Sequence, residues 1–216
     1  MTRKWLGPVL IVLALIGTLP FLDRLPEQIP THWNWQGEVD DTTAKIPGAF
    51  LAPLIAAGLW ILLPVLRRVD PRRRNYERFD ETFWLLLNLL TVGMLILHAA
   101  TIAYSLGTAF EMARAVFLAV GFLFAALGNY LPRLRSNWWM GIRTPWTLDS
   151  EEVWRRTHRL GGRTFVVGGV LCMLGALLLP TRAASMLAMA ALLLAAFLPV
   201  VYSFVVYRQL KQDVPQ

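Results

Sequence analysis

Long apolar segments alternate with short polar ones along the whole chain. Six apolar segments come close to or exceed the length of about 20 residues that a helix needs to cross a bilayer. They cover residues 5–22, 48–66, 82–104, 115–131, 164–179 and 183–207. The pattern therefore predicts an all-α fold, a polytopic membrane bundle of six transmembrane helices.

The composition agrees with a membrane protein. Of the 216 residues, 56% are hydrophobic and 16% are charged, whereas a soluble domain carries about 25% charged residues. The first apolar segment follows a basic start, as in a signal peptide, but it runs into Asp23-Arg24-Leu25-Pro26 without a small-residue cleavage site. We expect this segment to remain as a membrane anchor.

The basic residues collect on alternate polar segments. If the N-terminus is cytoplasmic, all of the 21 Lys and Arg residues lie inside except Arg24, Lys45, Arg114 and Arg182, as the positive-inside rule requires. We therefore expect both termini in the cytoplasm and the helices in a plasma membrane. The net charge of +7 is then explained by membrane orientation, without direct nucleic-acid binding.

The polar segment 23–47 lies between the first two spans and carries prolines, tryptophans and acidic residues. Prolines argue against a helix, so we expect a loop on the outer side of the membrane. The aromatic pair Trp33 and Trp35 stands beside His32 and Asp40. Exposed aromatic residues are favoured as binding anchors, and the acidic surroundings suit an amphipathic cationic peptide.

A second polar segment, 132–163, contains Asn-Trp-Trp-Met-Gly-Ile-Arg-Thr-Pro-Trp-Thr-Leu at positions 137–148. Pro145 restricts Thr144 to an extended conformation, which presents Arg143 and Trp146 from a stiff turn. Asp149 and Glu152 then predict a capping box that opens a short amphipathic helix at the membrane surface. Gly161-Gly162 is expected to end this helix.

This pattern resembles the signature of the SdpI family of bacterial membrane proteins. Segment 25–45 is similar to a small domain that precedes the signature in SdpI relatives. The resemblance implies a two-helix unit at 1–66, with the outer loop 23–47, and a four-helix domain at 67–216, with the signature loop 132–163. It also implies immunity to a secreted peptide toxin and capture of a cytoplasmic ArsR-type repressor, without catalysis.

Two sets of residues follow as binding candidates, in addition to contacts with membrane lipid. The outer set for a peptide is His32, Trp33, Trp35 and Asp40. The inner set for a cytoplasmic partner is Asn137, Gly141, Arg143, Thr144, Pro145, Trp146, Trp154, His158 and Arg159. The competing interpretation is that the tryptophans form an interfacial belt and that the arginines bind lipid phosphates.

Arg143 is a candidate for binding a carboxylate, for which there are two sources. Its guanidinium suits a carboxylate that it binds through two hydrogen bonds. That carboxylate is either an internal one, Asp149 or Glu152, or one on a partner.

The remaining polar residues suggest neither a metal site nor a cofactor. His32 and His158 are expected on opposite sides of the membrane. Asn88, Thr91 and His98 share one face of the third span, where hydrogen bonds between helices are favoured over a polar pathway. A transporter of small molecules or lipids, or a membrane enzyme, stays the alternative, although the chain lacks the H-E-x-x-H and G-x-S-x-G motifs.

Overall fold

A computed structural model describes residues 3–34 and 36–212, with the exception of the Arg3 side chain. The long helices are α1 (Arg3–Thr18), α2 (Lys45–Val69), α3 (Asp80–Ser105), α4 (Met112–Tyr130), α6 (Glu151–Leu178) and α7 (Thr181–Gln212). The short helix α5 (Pro145–Asp149) precedes α6. Three 3-10 helices, Leu19–Arg24, Arg73–Phe79 and Leu131–Arg133, extend or connect them.

Six helices in the described part of the chain are long and apolar enough to cross a membrane. Their outward faces carry large apolar side chains, such as Ile61 at 71% and Leu178 at 74% exposure. Water would not stabilise such faces, and lipid does. The predicted all-α polytopic class is confirmed, while the division of the chain at residue 66 stays a prediction.

One continuous helix, α6, replaces the two shorter helices expected around Gly161-Gly162. The prediction of a helix end at these glycines was wrong because they serve close packing. A Cβ on Gly162 would lie 2.8 Å from the Gly128 carbonyl oxygen of α4. The cap was also misplaced by one residue, since the Ser150 side chain, and not Asp149, accepts the backbone N–H of Val153.

A β-hairpin occupies the segment expected to be a loop. Strand β1 (Gln28–Trp33) pairs antiparallel with β2 (Val39–Ala44). The turn is closed by Asn34, whose Oδ1 accepts the backbone N–H groups of Gln36 and Glu38. Ile29 is fully buried and packs in a small cluster with Ala49 and Ile102. Polar and apolar residues alternate only weakly along this hairpin, so the sequence analysis predicted a loop there.

Hydrogen bonds from the polar face of α3 hold the first three helices together. Asn88 Oδ1 accepts the backbone N–H of Gly7 at 2.9 Å. Thr91 Oγ1 accepts the indole N–H of Trp60 at 2.8 Å. His98 Nε2 lies 2.9 Å from Thr18 Oγ1. The predicted role of this face in bonding neighbouring helices is confirmed.

Side-chain contacts define the two ends of the bundle. At the signature end, Asp80 at the start of α3 forms ion pairs with Lys4 of α1 and Arg67 of α2. Tyr207 near the end of α7 donates to Asp149 beside the signature loop. At the hairpin end, the α3–α4 connection meets the start of α7, where Thr181 donates to Glu111.

Candidate functional site

A cavity of about 700 Å³ lies beneath the hairpin, between α2, α3, α4 and α7. Apolar side chains supply much of its wall, among them Leu51, Leu97, Val116, Phe117 and Met189. Leu51 and Met189 are 41% and 55% exposed. The cavity therefore opens at the surface of the bundle that faces lipid.

The hairpin supplies the polar groups at the mouth of the cavity. His32 Nδ1 lies 2.6 Å from Asp40 Oδ1, and both side chains are exposed. The Trp33 ring packs edge-on against Tyr104, with centroids 6.0 Å apart. Its Nε1 atom is buried and has no hydrogen-bond partner among the described residues. An unpaired buried donor is costly, so this N–H is an energetic weak point of the hairpin end.

Three of the four outer residues predicted from the sequence, His32, Trp33 and Asp40, line this cavity. Trp35 lies outside the described residues. The sequence reasoning missed the opposite wall, which Met112, Ala113, Ser185 and Met189 supply from α4 and α7. These residues lie at least 70 positions away along the chain and carry no local signal. Peptide binding by this set stays a prediction.

Charge at the hairpin end is mainly negative. Acidic residues outnumber basic ones there: Asp23, Glu27, Glu38, Asp40, Asp41 and Glu111 against Arg24, Lys45, Arg114 and Arg182. Glu111 accepts hydrogen bonds from Thr181 and Arg114, which hold the pKa of its carboxyl below the ordinary value. It therefore stays ionised at neutral pH.

Asn137 organises the signature loop from a fully buried position. Its Oδ1 accepts the backbone N–H groups of Trp139 and Met140, and lies 3.1 Å from the hydroxyl oxygen of Tyr76. Its Nδ2 donates to the carbonyl oxygens of Arg135 and Met140. Asn137 therefore fixes the backbone of the loop and offers no surface to a partner.

The connection between α2 and α3 interlocks with the signature loop. Asp70 is buried and accepts the Tyr76 hydroxyl and the Trp138 backbone N–H, each at 2.9 Å. Arg72 donates to the Ser136 hydroxyl and to the Leu148 carbonyl. Sequence reasoning missed the pairs that join the two loops because their members are 64 or more residues apart.

His158 and Trp154 support the loop from α6. Their rings stack with centroids 4.0 Å apart, and both are buried. His158 Nε2 accepts the backbone N–H of Ile142, so the proton is on Nδ1, which donates to the Trp154 carbonyl. Gly141 has φ +97°, and a Cβ there would collide with His158 Nε2.

Thr144 has the extended backbone that the Pro145 pattern predicted, and it also caps the short helix α5. It is extended, with φ −119° and ψ 162°, and forms a reciprocal capping box with Thr147. Its hydroxyl also lies 3.1 Å from Ser203 Oγ of α7. Trp146 packs on Phe204, with ring centroids 4.9 Å apart. The short helix is thereby fixed to the last transmembrane helix.

Most of the predicted inner set therefore builds the loop, and only part of it reaches the surface. Gly141, Arg143, Pro145 and Arg159 are exposed. The neighbouring Trp138 and Trp139 are 46% and 38% exposed, although the predicted set did not include them.

Arg143 does not bind the internal carboxylates that were considered for it. It donates to the Trp138 carbonyl at 2.8 Å, whereas Glu152 accepts from Arg155 and Arg156. Asp149 accepts the Tyr207 hydroxyl. A carboxylate for the Arg143 fork would therefore come from a partner.

Comparison with known proteins shows which families the chain resembles. Residues 133–203 match the SdpI/YfhL protein family, and residues 9–57 match a domain of unknown function, DUF1648. The Immunity protein SdpI of Bacillus subtilis (strain 168) is 24% identical over 171 residues, which are 79% of this chain and 80% of that protein. The resemblance to the SdpI family is confirmed.

The comparison also bears on where the protein is located. Six apolar helices in the described residues, together with this relative, make the chain a multi-pass bacterial membrane protein. The SdpI match contains both the signature loop and Ser203, the α7 partner of Thr144. The DUF1648 match contains the hairpin and the whole α2 wall of the cavity. No solved structure matches the chain.

Proposed function

We propose that this protein is a membrane immunity protein that protects its cell from a secreted peptide toxin by binding the peptide at the hairpin-end cavity. The cavity carries this proposal, because its walls come from both family-matched segments and from the helices between them. The name of the Bacillus relative, an immunity protein, supports the same function. No step of this function requires catalysis.

The chemistry of the cavity selects an amphipathic cationic peptide. Its volume of about 700 Å³ falls in the range of about 300–1,000 Å³ typical of ligand pockets. Apolar walls would accept one or more hydrophobic side chains, and the acidic rim would attract basic residues. Trp33 Nε1 would donate to a carbonyl oxygen of the bound peptide.

This function places the hairpin end outside the cell and the signature end in the cytoplasm. The distribution of basic residues supports that orientation. Reporter fusions after Lys45, Arg74, Thr108, Ser150, Arg182 and the C-terminus should read out, in, out, in, out and in. A fusion after Ser150 that reports an outer location would overturn the orientation.

Growth of the source bacterium tests the immunity function. Deletion of the gene should make the cells sensitive to culture medium in which the parent strain has grown, and the wild-type gene should restore resistance. The variant Ala52→Trp, which fills the cavity, should restore little resistance. Leu54→Trp is the matched control, because Leu54 is 56% exposed on the same helix and does not line the cavity. Equal protection by both variants would exclude the cavity as the binding site.

We further propose that the signature end binds a cytoplasmic ArsR-type repressor through Trp138, Trp139 and Arg143. This surface is both exposed and rigid, since Asn137 and Asp70 bond its backbone. Aromatic and arginine side chains are enriched among residues that dominate binding energy. A binding surface, rather than an interfacial belt, accounts for the loop that holds them in place.

Membranes from cells that produce an epitope-tagged ArsR-type repressor test this surface. The wild-type chain should retain the repressor on washed membranes, and Trp138→Ala with Trp139→Ala should release it. Trp5→Ala is the control, because Trp5 is 70% exposed on α1 and lies outside the loop. If the loop variant still retains the repressor, or if only the control variant releases it, then Trp138 and Trp139 are belt residues.

A further inference from the structure

A second concave site lies at the signature end, on the surface of the α2–α3 connection. It encloses about 410 Å³ and is lined by Arg67, Arg68, Arg73, Arg74 and Glu77. We call these five residues the arginine basin. Four arginines and one glutamate line it, so the basin is strongly positive. We propose that the arginine basin binds the phosphate group of an anionic phospholipid.

The arginines of the basin differ in how they are held. Arg67 is fixed by its ion pair with Asp80 and by the rings of Tyr76 and Phe83, which lie 5.5 and 5.0 Å away. The guanidinium groups of Arg68, Arg73 and Arg74, the three free arginines, have no hydrogen bond or ion pair with the residues that the structure describes. Guanidinium groups bind phosphate oxygens through paired hydrogen bonds.

The adjacent Arg72 shows that this part of the chain does not simply point its arginines into water. Its guanidinium turns inward and donates to Ser136 and Leu148 of the signature loop. Arg73 and Arg74, the next two residues, turn toward the basin instead. The positive-inside rule requires basic residues on this side but not their convergence around one concave volume.

The position of the basin on α2 favours a lipid over a soluble phosphate compound. Arg68 follows Ile61 by seven residues and Val65 by three, so the three share one face of the helix. Ile61 and Val65 are 71% and 47% exposed, and Val69 beside Arg68 is 64% exposed. A phospholipid whose headgroup occupies the basin can therefore lay its acyl chains along this apolar face.

Native mass spectrometry of the purified full-length chain in detergent tests the site. Phosphatidylglycerol should bind and phosphatidylcholine, which has no net charge, should not compete. The variant Arg68→Gln, Arg73→Gln, Arg74→Gln should weaken phosphatidylglycerol binding by roughly 100-fold, at about fivefold for each arginine near the surface. Equal binding of the two lipids to the wild-type chain would overturn the proposal.

A control variant removes the same charge from the same end. Arg78, Arg133 and Arg135 are exposed and lie outside the basin, so Arg78→Gln, Arg133→Gln, Arg135→Gln should bind phosphatidylglycerol within about threefold of wild type. A loss equal to that of the basin variant would show that net charge, not the basin, attracts the lipid. Should the triple basin variant fail to fold, Arg73→Gln with Arg74→Gln in the 3-10 helix gives the same test, with an expected loss of roughly 25-fold.

Competition distinguishes the two sources of the phosphate group. Millimolar inorganic phosphate or glycerol phosphate should leave phosphatidylglycerol bound, because neither supplies the contacts along Ile61 and Val65. Displacement of the lipid by either anion would contradict lipid recognition and identify a site for soluble phosphate compounds. The proposal is independent of the immunity function, since the growth test at the hairpin end does not involve these arginines.

Discussion

The two ends of the bundle differ in how their polar groups are arranged, although each has a buried group without a hydrogen-bond partner among the described residues, Thr157 Oγ1 at the signature end and Trp33 Nε1 at the hairpin end. At the signature end, Asp70, Tyr76 and Asn137 join two loops in a buried network. At the hairpin end, an exposed His32–Asp40 pair and an unpaired Trp33 N–H surround a cavity. A paired network stabilises one conformation, whereas an unpaired donor beside a cavity is an opportunity for a ligand. The signature end, which carries the longer sequence motif, therefore serves mainly to stabilise the fold.

The largest expected effect is on the stability of the network at the signature end. Asn137→Ala removes four hydrogen bonds between one buried side chain and the loop backbone. It leaves buried backbone groups unpaired, so it should lower the free energy of unfolding by about 3 kcal/mol or more. Thermal unfolding of the detergent-purified chain measures this loss.

The control at the other end is Asn34→Ala, the same chemical change in the hairpin turn. Asn34 bonds only turn groups that water also reaches, so its loss should cost about 1 kcal/mol or less. Similar losses for the two variants would mean that the two ends do not differ as described.

Two glycines with positive φ provide the next comparison. Gly141 and Gly107 have φ of +97° and +86°, so alanine strains the backbone by about 1–2 kcal/mol at each. At Gly141 the new Cβ would also displace His158, whereas nothing lies within 4 Å at Gly107. Gly141→Ala should therefore destabilise the chain by about 2–3 kcal/mol and Gly107→Ala by about 1 kcal/mol. Equal thermal unfolding of the two variants would contradict close packing at His158.

The sequence predicted the parts of this fold that depend on local patterns. Apolar length identified the six spans, and helical spacing identified the Asn88, Thr91 and His98 face. The Thr144-Pro145 pair predicted an extended residue before a rigid turn, which the structure contains. In each of these features the evidence lies within a few turns of one helix or loop.

The features that were missed depend on contacts between distant segments. Gly161-Gly162 has the local appearance of a helix end, yet the approach of Gly128 requires small residues there. Asp70 has no local motif, although it joins two loops. The cavity needs walls from α2 and α7, so no stretch of sequence predicts it. Close packing and long-range hydrogen bonds are therefore what the pattern of residues leaves open.

A smaller effect on stability should accompany a large effect on function at Trp33. Trp33→Phe removes an N–H that has no partner among the described residues, so the free energy of unfolding should change by about 0.5 kcal/mol or less. Protection against spent medium should nevertheless fall, because the ligand loses its donor. Trp60→Phe is the contrast, since Trp60 donates to Thr91 and its loss should cost about 1 kcal/mol. Full protection by the Trp33 variant would remove this N–H from the site.

The smallest expected change in stability is that of Arg143→Lys. Arg143 is exposed and donates one hydrogen bond to the Trp138 carbonyl, a bond that a lysine ammonium also makes, so unfolding should shift by about 0.5 kcal/mol or less.

Repressor retention, by contrast, should fall about tenfold or more if Arg143 binds a carboxylate of the partner. Lysine keeps the charge but loses the paired hydrogen bonds, and hydrogen bonds to charged groups contribute about 1.5–3 kcal/mol. Arg155→Lys is the control, because Arg155 pairs with Glu152 of its own helix and should leave retention unchanged. If the Arg143 variant retains the repressor as well as the wild type does, at equal abundance in the membrane, then Arg143 contributes only charge. It would then act as a phosphate anchor at the membrane surface.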